Sequence, residues 1–244
     1  MQIHVLGDSI VTAYGSDENN FIGGWGDHLN SFFKNEVPVL VYAEGGRSSR
    51  SFLNEGRFMN YGIFSKDEFP YGMGPAYDRI CAGDYVLMQF CHNDDESKGY
   101  GTYVDRLTPL GIPDSHGIYP TVVPDEQMKV PTGEIPSEYV TLLRKTGMTE
   151  QEIAVYERKY RELIAQYGEK YWSYDCGATY KGYLKFYIDK IRACGAVPVL
   201  VTPPPRQYYK NGKNCGSCRT AWWRGCIWRI SLCEGNQAAW KTGK

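Results

Sequence analysis

Short apolar runs alternate with helical segments along most of the chain. Four runs predict β-strands: Gln2–Leu6, Val37–Tyr42, Asp84–Phe90 and Ala196–Thr202. Helical spacing of apolar residues predicts helices over Asp27–Lys34, Met148–Tyr167 and Thr179–Cys194. Strands that alternate with helices in this way are typical of a parallel, doubly wound α/β sheet.

The apolar residues of the predicted helices form faces that can pack on a sheet. In the first and last helices these residues are Leu29, Phe32, Phe33, Tyr183, Phe186, Tyr187 and Ile191. Thr149 is expected to cap the middle helix, and Gly195 is expected to end the last one. A short helix is also expected after Ser49, where a polar loop leads into apolar residues.

Three of the strands are followed by polar loops. These loops are Gly7-Asp8-Ser9, Gly45-Gly46-Arg47-Ser48 and His92-Asn93-Asp94. The carboxyl ends of parallel strands meet at one edge of a sheet, where open α/β proteins bind ligands. We therefore expect the three loops to converge on one site.

The three loops carry residue types that ester hydrolysis requires. Ser9 is a candidate nucleophile. The N–H groups of Ser9 and Gly46 and the side-chain amide of Asn93 are candidate donors to a developing oxyanion. The alternative is that Asp8 and Ser9 only cap the following segment, which is the common role of such a pair.

The composition changes near the end of the chain. The net charge of the whole sequence is -1, which does not indicate a nucleic-acid partner. From Pro205 to Lys244 there are eight basic residues and one acidic residue. The sequence thus predicts one domain over residues 1–212, with an insertion at about 96–147, and a Cys/Trp/Arg-rich tail over residues 213–244. No strand is predicted in this tail.

The sequence shows no targeting or membrane-spanning segment. Met1 leads directly into the first predicted strand, without a basic region or a cleavage site. No apolar run approaches the roughly 20 residues of a spanning helix. We expect a cytoplasmic protein without a membrane partner.

Four cysteines crowd the tail and allow a zinc interpretation. They are Cys215, Cys218, Cys226 and Cys233. Four thiolates can hold a tetrahedral zinc ion, but the spacing of the second pair does not fit a zinc knuckle. Accidental clustering is the favoured interpretation, so no metal or cofactor is expected. Trp222 and Trp223 with nearby arginines could stack on nucleic acid, a still weaker interpretation.

Four segments together resemble the SGNH (GDSL-type) hydrolase family, and within it the rhamnogalacturonan acetylesterase-like members. They are Gly7–Val11, Gly46–Phe52, His92–Asp94 and Val201–Arg206. The resemblance implies a flavodoxin-like α/β/α sandwich with a parallel sheet. It also implies removal of acyl groups, often acetyl, from carbohydrate such as pectin-derived oligosaccharides, without a metal. Ser9 would then be the nucleophile, and Ser9, Gly46 and Asn93 the oxyanion donors.

The sequence departs from the family pattern at two places. Cys91 stands where the family usually has Gly, and the Asp-x-x-His block near the C-terminus is absent, since no His follows His116. Asp8 and His92 are therefore candidates for supporting roles, and the general base is unassigned. We expect the C-terminal part of the fold to be incomplete, as in a truncated or frame-altered copy.

Two alternatives to an active carbohydrate esterase follow from the same residues. The first is a catalytically impaired SGNH-fold protein that binds a sugar or acts as an interaction module. The second is a lipid esterase, which is disfavoured because the second loop is rich in Arg and Ser and lacks an apolar lid. Oligomeric state, acyl group and sugar are not specified by the pattern.

Overall fold

The computed structural model describes most of the N-terminal four-fifths of the chain. The described residues are 1–15, 22–34, 37–59, 74–94, 106, 108, 110–124, 140–141, 144, 149–167, 178–204, 207–210 and 213–217. The chain divides into two compact units, Met1–Pro203 and Pro204–Lys244. The sequence places the division later, after residue 212, and that boundary stays a prediction.

A four-stranded sheet forms the centre of the first unit. Its strands are β1 (Ile3–Gly7), β2 (Val39–Val41), β3 (Tyr85–Gln89) and β4 (Val197–Leu200). They lie in the order β2-β1-β3-β4, and all three neighbouring pairs are parallel. This order matches the first four strands of the flavodoxin-like arrangement. The predicted parallel α/β fold is confirmed.

Four α-helices accompany the sheet in the described residues. They are α1 (Gly26–Leu29), α2 (Ser49–Asn54), α3 (Glu150–Tyr167) and α4 (Tyr180–Ala193). Short 3₁₀ turns occupy Asn30–Phe32 and Ala76–Arg79. None of these helices combines the length and the hydrophobicity needed to cross a lipid bilayer.

The end of α4 lies where the sequence predicts it, and Thr179 caps the start of the helix. The Thr179 hydroxyl accepts the Gly182 N–H at 3.3 Å at the start of the helix. Gly195 follows the helix with a φ of 76°, a left-handed conformation that glycine adopts without a Cβ penalty. The four predicted inward residues of α4 are all buried. For this helix the apolar period alone was sufficient to predict the packing face.

One predicted core residue of the first helix is exposed. Leu29 and Phe33 pack against a cluster built on Ile3, Val5 and neighbouring residues, but Phe32 is 81% exposed. The α-helix ends at Leu29 and gives way to a 3₁₀ turn, which has 3.0 instead of 3.6 residues per turn. The placement of Phe32 in the core is therefore wrong, because it assumed one continuous α-helix.

Two tyrosines of α4 join the sheet to the loops at its carboxyl edge. The Tyr180 hydroxyl donates to the Phe90 carbonyl at 2.8 Å, and the Tyr187 hydroxyl donates to the Ser49 carbonyl at 2.7 Å. The Tyr187 ring also stacks on Phe90, with ring centroids 5.7 Å apart. These buried contacts fix the positions at which β3 ends and α2 begins.

The second unit contains a short antiparallel pair in its described residues. β5 (Gln207–Lys210) pairs with β6 (Lys213–Ser217). The prediction that the tail contains no strand is therefore wrong. Asn211-Gly212 stands between the two strands, and Asn-Gly is a favoured two-residue hairpin connection. Strands are usually predicted from alternating apolar and polar residues, and these two strands are mostly polar and do not alternate in this way.

Candidate functional site

The turn after β1 holds Ser9 at the carboxyl edge of the sheet. The Asp8 carboxylate accepts the Ile10 N–H at 2.9 Å, and the Asp8 carbonyl accepts the N–H groups of Val11 and Thr12, both at 3.0 Å. Asp8 is fully buried, whereas Ser9 is partly exposed. Asp8 thus caps the turn, as the simpler interpretation predicts, and the turn leaves Ser9 partly exposed.

The glycine pair after β2 lies against Ser9. The Glu44 N–H donates to the Gly7 carbonyl at 3.1 Å, which joins the two strand ends. A Cβ built on Gly45 would lie 3.9 Å from the Ser9 Cβ. Gly46 has a φ of 79°, a conformation in which other residues are strained. The structure therefore places this loop next to the candidate nucleophile.

Asn93, after β3, is attached to the same loop. Its amide nitrogen donates to the Arg47 carbonyl at 3.1 Å. An amide nitrogen carries two hydrogens, so this bond orients the side chain while using only one of its donors. Ser9, Gly46 and Asn93 are all partly exposed, and they stand beside buried Asp8, Ser48 and Asp94. The predicted convergence of the three loops is observed, and the oxyanion roles of Gly46 and Asn93 stay predictions.

A buried carboxylate supports the Asn93 loop. Asp94 accepts the Ser49 N–H at 3.0 Å and the Ser49 hydroxyl at 2.5 Å. Burial raises the pKa of Asp94 to about 7, although hydrogen bonds from Ser49 and Thr108 favour its charged form; the nearby charge of Asp8 also raises this pKa. Arg47, in the neighbouring loop, pairs with Glu55 at 2.9 Å.

His92 is buried behind this edge and faces Asp8. Its Nδ1 lies 3.9 Å from an Asp8 carboxylate oxygen. Both side chains are almost fully excluded from solvent. The two residues named as supporting candidates are thus neighbours, and whether they contribute to catalysis stays a prediction.

The other histidines lie outside the three loops. His4 is buried within β1 and pairs with Asp84 at 3.1 Å. His28 and His116 are exposed, on α1 and in the segment 110–124 respectively.

Comparison with known proteins gives three relatives of one kind. No protein-family model matches the chain. The "Probable rhamnogalacturonan acetylesterase YesY" of Bacillus subtilis strain 168 is 25% identical over 210 residues, which cover 86% of this chain and 57% of that protein. Rhamnogalacturonan acetylesterase RhgT of the same organism is 32% identical over 111 residues, which cover 44% of this chain and 41% of RhgT.

The third relative comes from a fungus. The rhamnogalacturonan acetylesterase of Emericella nidulans is 34% identical over 92 residues, which cover 38% of this chain and 31% of that protein. The resemblance to rhamnogalacturonan acetylesterases is confirmed. The chain spans less than two thirds of the length of each of these relatives. Among solved structures, the Bacillus subtilis protein YxiM is 18% identical at a TM-score of 0.40, covering 84% of this chain and 33% of that chain.

Two residues that lie near the candidate site were not predicted from the sequence. The Arg106 guanidinium lies over Gly46, and the Tyr14 hydroxyl lies 3.4 Å from the position of a Cβ on Gly45. Arg106 falls in the aperiodic insertion, where no local pattern predicts a position. Tyr14 follows the Ser9 turn closely in the sequence, which is a signal that could have been used.

The zinc interpretation of the four tail cysteines stays untested. Within the described residues no group of three or more His, Cys, Asp or Glu side chains could hold a metal ion. Of the four tail cysteines, Cys215 lies in β6 without a described side chain, and Cys218, Cys226 and Cys233 lie outside the described residues. Trp222 and Trp223, considered for nucleic-acid stacking, also lie outside the described residues. Cys91, the departure from the family pattern, is buried.

Proposed function

We propose that this chain hydrolyses acetyl esters on carbohydrate, with Ser9 as the nucleophile. The observation that carries the proposal is the convergence of three loops. Gly45 lies beside Ser9, since a Cβ built on Gly45 would be 3.9 Å from the Ser9 Cβ, and the Asn93 amide is bonded to the carbonyl of Arg47 in the same loop. The three relatives, all named rhamnogalacturonan acetylesterases, support acetylated pectin-derived oligosaccharides as the substrate.

In this proposal the Ser9 hydroxyl attacks the carbonyl carbon of the acetyl ester. The carbonyl oxygen becomes an oxyanion, which accepts hydrogen bonds from the Ser9 and Gly46 N–H groups and the Asn93 amide. The sugar oxygen leaves with a proton, and water then hydrolyses the acetyl-serine intermediate. The reaction needs a base for the Ser9 proton, and His92 is the histidine that stands in one of the three loops.

The burial of His92 favours a second candidate function. A base must lie within hydrogen-bond distance of the hydroxyl that it deprotonates. His92 is buried with its Nδ1 toward Asp8, and the other three histidines stand outside the loops. If His92 does not act on Ser9, the three loops still lie together but the Ser9 hydroxyl is not activated. The chain would then bind acetylated sugar without cleaving it.

Hydrolysis assays separate the two functions. We expect the native chain to hydrolyse p-nitrophenyl acetate and to release acetate from acetylated rhamnogalacturonan oligosaccharides, and Ser9→Ala to abolish both activities. Ser31→Ala, at an exposed serine of the 3₁₀ turn, is the matched control. Equal rates for the native chain and Ser9→Ala would exclude the esterase. Saturable binding of the oligosaccharide without hydrolysis would then establish the sugar-binding function.

A third variant tests the base. If His92 accepts the Ser9 proton, His92→Gln lowers kcat by about 10²–10⁴-fold. Retention of the native melting temperature would show that the loss is not a folding defect. An active His92→Gln variant would assign the proton to another group.

A further inference from the structure

The two proposed oxyanion donors that follow β2 and β3 occupy equivalent positions in two tight turns. The turn over residues 44–47 is closed by a backbone hydrogen bond of 3.3 Å between its last and first residues, and Gly46 is its third residue. The turn over residues 91–94 is closed in the same way at 3.0 Å, and Asn93 is its third residue. The direction of each donor therefore depends on the orientation of its turn.

The hydroxyl of Tyr180 on α4 holds the peptide that leads into the second turn. It donates to the Phe90 carbonyl at 2.8 Å, in a buried contact. The sheet does not extend to this carbonyl on the β4 side, since the pairing of β3 with β4 ends at Met88, whose carbonyl accepts the Val201 N–H at 2.9 Å. A buried carbonyl needs a donor, and the Tyr180 hydroxyl supplies it.

Tyr187, about two turns further along α4, contacts both loops. Its hydroxyl donates to the Ser49 carbonyl at 2.7 Å, in the first turn of α2 and three residues after Gly46. Its ring stacks on Phe90, with ring centroids 5.7 Å apart and ring planes 16° apart. Tyr187 is fully buried, so water cannot replace either contact. One helix thus contacts the chain just before the Asn93 turn and just after the Gly46 turn.

We propose that Tyr180 and Tyr187 are positioning residues of the esterase, which hold the Asn93 amide and the Gly46 N–H in the geometry that an oxyanion requires. The inference rests on the proposed function, and it names residues outside the three loops that keep two of the donors aligned. Oxyanion donors act only when they point to the place where the charge develops, so a small rotation of either turn slows the chemical step. The two tyrosines should therefore act on kcat and not on KM.

Removal of each hydroxyl tests the proposal, because phenylalanine keeps the ring and its packing. We expect Tyr180→Phe and Tyr187→Phe each to lower kcat on p-nitrophenyl acetate by about 2- to 10-fold, the effect of one buried hydrogen bond, and to leave KM within about twofold. Tyr42→Phe is the matched control. Tyr42 is also buried, but its hydroxyl has no hydrogen-bond partner among the described residues, so its removal should leave kcat unchanged.

A double-mutant cycle distinguishes positioning from a general loss of stability. If Tyr180 acts through the Asn93 amide, Tyr180→Phe should lower kcat in the native chain and cause no further loss in Asn93→Ala, which lacks that donor. Tyr187→Phe should still lower kcat in Asn93→Ala, because the Gly46 N–H remains. An equal loss from Tyr180→Phe in both backgrounds would overturn the proposal, as would an unchanged kcat in both single variants.

Amide hydrogen exchange decides the inference separately if the native chain cleaves no ester. Tyr180→Phe should speed the exchange of the Asp94 N–H, and Tyr187→Phe that of the Arg47 N–H, since these two groups close the turns. Tyr42→Phe should change neither. Faster exchange in a chain without esterase activity would support the positioning of the loops and reject only the proposed function. Native exchange at both turns in both variants would overturn the inference.

Discussion

The Asp94 carboxylate accepts both the backbone N–H and the hydroxyl of Ser49, and this pair joins the end of β3 to the start of α2. Asn93 immediately precedes Asp94 in the chain, and Gly46 precedes α2 by three residues. Asn93 and Gly46, two of the three candidate oxyanion donors, thus lie close along the chain to the two ends of one buried contact. The charge state of Asp94 is therefore relevant both to the stability of the fold and to the positions of these two residues.

Asp94 should make the stability of the protein depend on pH. Burial raises its pKa to about 7 in the folded state, from an ordinary value of 3.8. Between these values the folded protein binds a proton that the unfolded chain has lost, so the free energy of unfolding falls as pH rises. The contribution is fully present below about pH 4 and is lost as pH rises through 7, at up to about 1.4 kcal/mol per pH unit.

Urea unfolding of the native chain and Asp94→Asn between pH 4 and 8 measures this contribution. We expect the native chain's advantage over Asp94→Asn to shrink as pH rises, because only the native chain titrates at this position. Asp189→Asn, at an exposed position on α4, should parallel the native chain. A constant difference between the native chain and Asp94→Asn would contradict the assignment.

Asn93→Ala should reduce turnover without unfolding the protein. The side chain is partly exposed and makes one described hydrogen bond, to the Arg47 carbonyl. Removal of one oxyanion donor lowers kcat by about 10²–10³-fold, with little effect on KM because the interaction forms in the transition state. Initial rates on p-nitrophenyl acetate measure this loss, with the exposed Asn30→Ala as control. An unchanged kcat would show that Asn93 is not a donor.

His4→Gln should remove part of the acid sensitivity of the fold. Burial lowers the pKa of His4 below 6.5, and this effect outweighs the Asp84 hydrogen bond, which raises it. The unfolded chain therefore binds a proton near pH 6 that the folded chain does not. This contribution to stability is present above about pH 6.5 and is lost as pH falls below that value.

The experiment compares unfolding free energies of the native chain and His4→Gln between pH 5 and 8. The native chain should lose more stability on acidification than His4→Gln, in which an amide can still donate to Asp84. The two proteins must be compared with each other, because Asp94 stabilises the fold on acidification in this pH range whereas His4 destabilises it. Subtracting one unfolding free energy from the other removes the Asp94 contribution. His28→Gln, at an exposed histidine, serves as the control. Parallel curves for His4→Gln and the native chain would disprove the prediction.

Gly7→Ala should destabilise the sheet edge. A Cβ at Gly7 would lie 2.7 Å from the Gln89 carbonyl oxygen and 2.5 Å from a Val11 methyl carbon. The carbonyl belongs to the neighbouring strand β3 and cannot move independently, so we expect a cost of about 1–3 kcal/mol. Thermal and urea unfolding measure it. Gly23→Ala, where a Cβ meets nothing within 4 Å, should be neutral; similar effects at both positions would refute the steric explanation.

The order of elements could be predicted from local patterns. The strand runs, the apolar period of α4 and the polar loops after three strands are properties of neighbouring residues. Because parallel strands share one carboxyl edge, these patterns also predict that Ser9, Gly46 and Asn93 lie in adjacent loops. The local pattern gave a wrong prediction at two places. Phe32 was expected in the core, but the α-helix changes to a 3₁₀ turn before it. β6 was not predicted, because its residues are polar and lack an apolar alternation.

The sequence by itself determined the sheet, the packing face of α4 and the three loops, since each depends on residues that are close along the chain. Only the tertiary structure decided that Arg106 covers Gly46 and that Asp94 is bonded to Ser49. These contacts join residues some 60 and 45 positions apart, the first through an aperiodic insertion. Such pairings depend on how loops pack in space, and no periodic pattern in a single sequence encodes them.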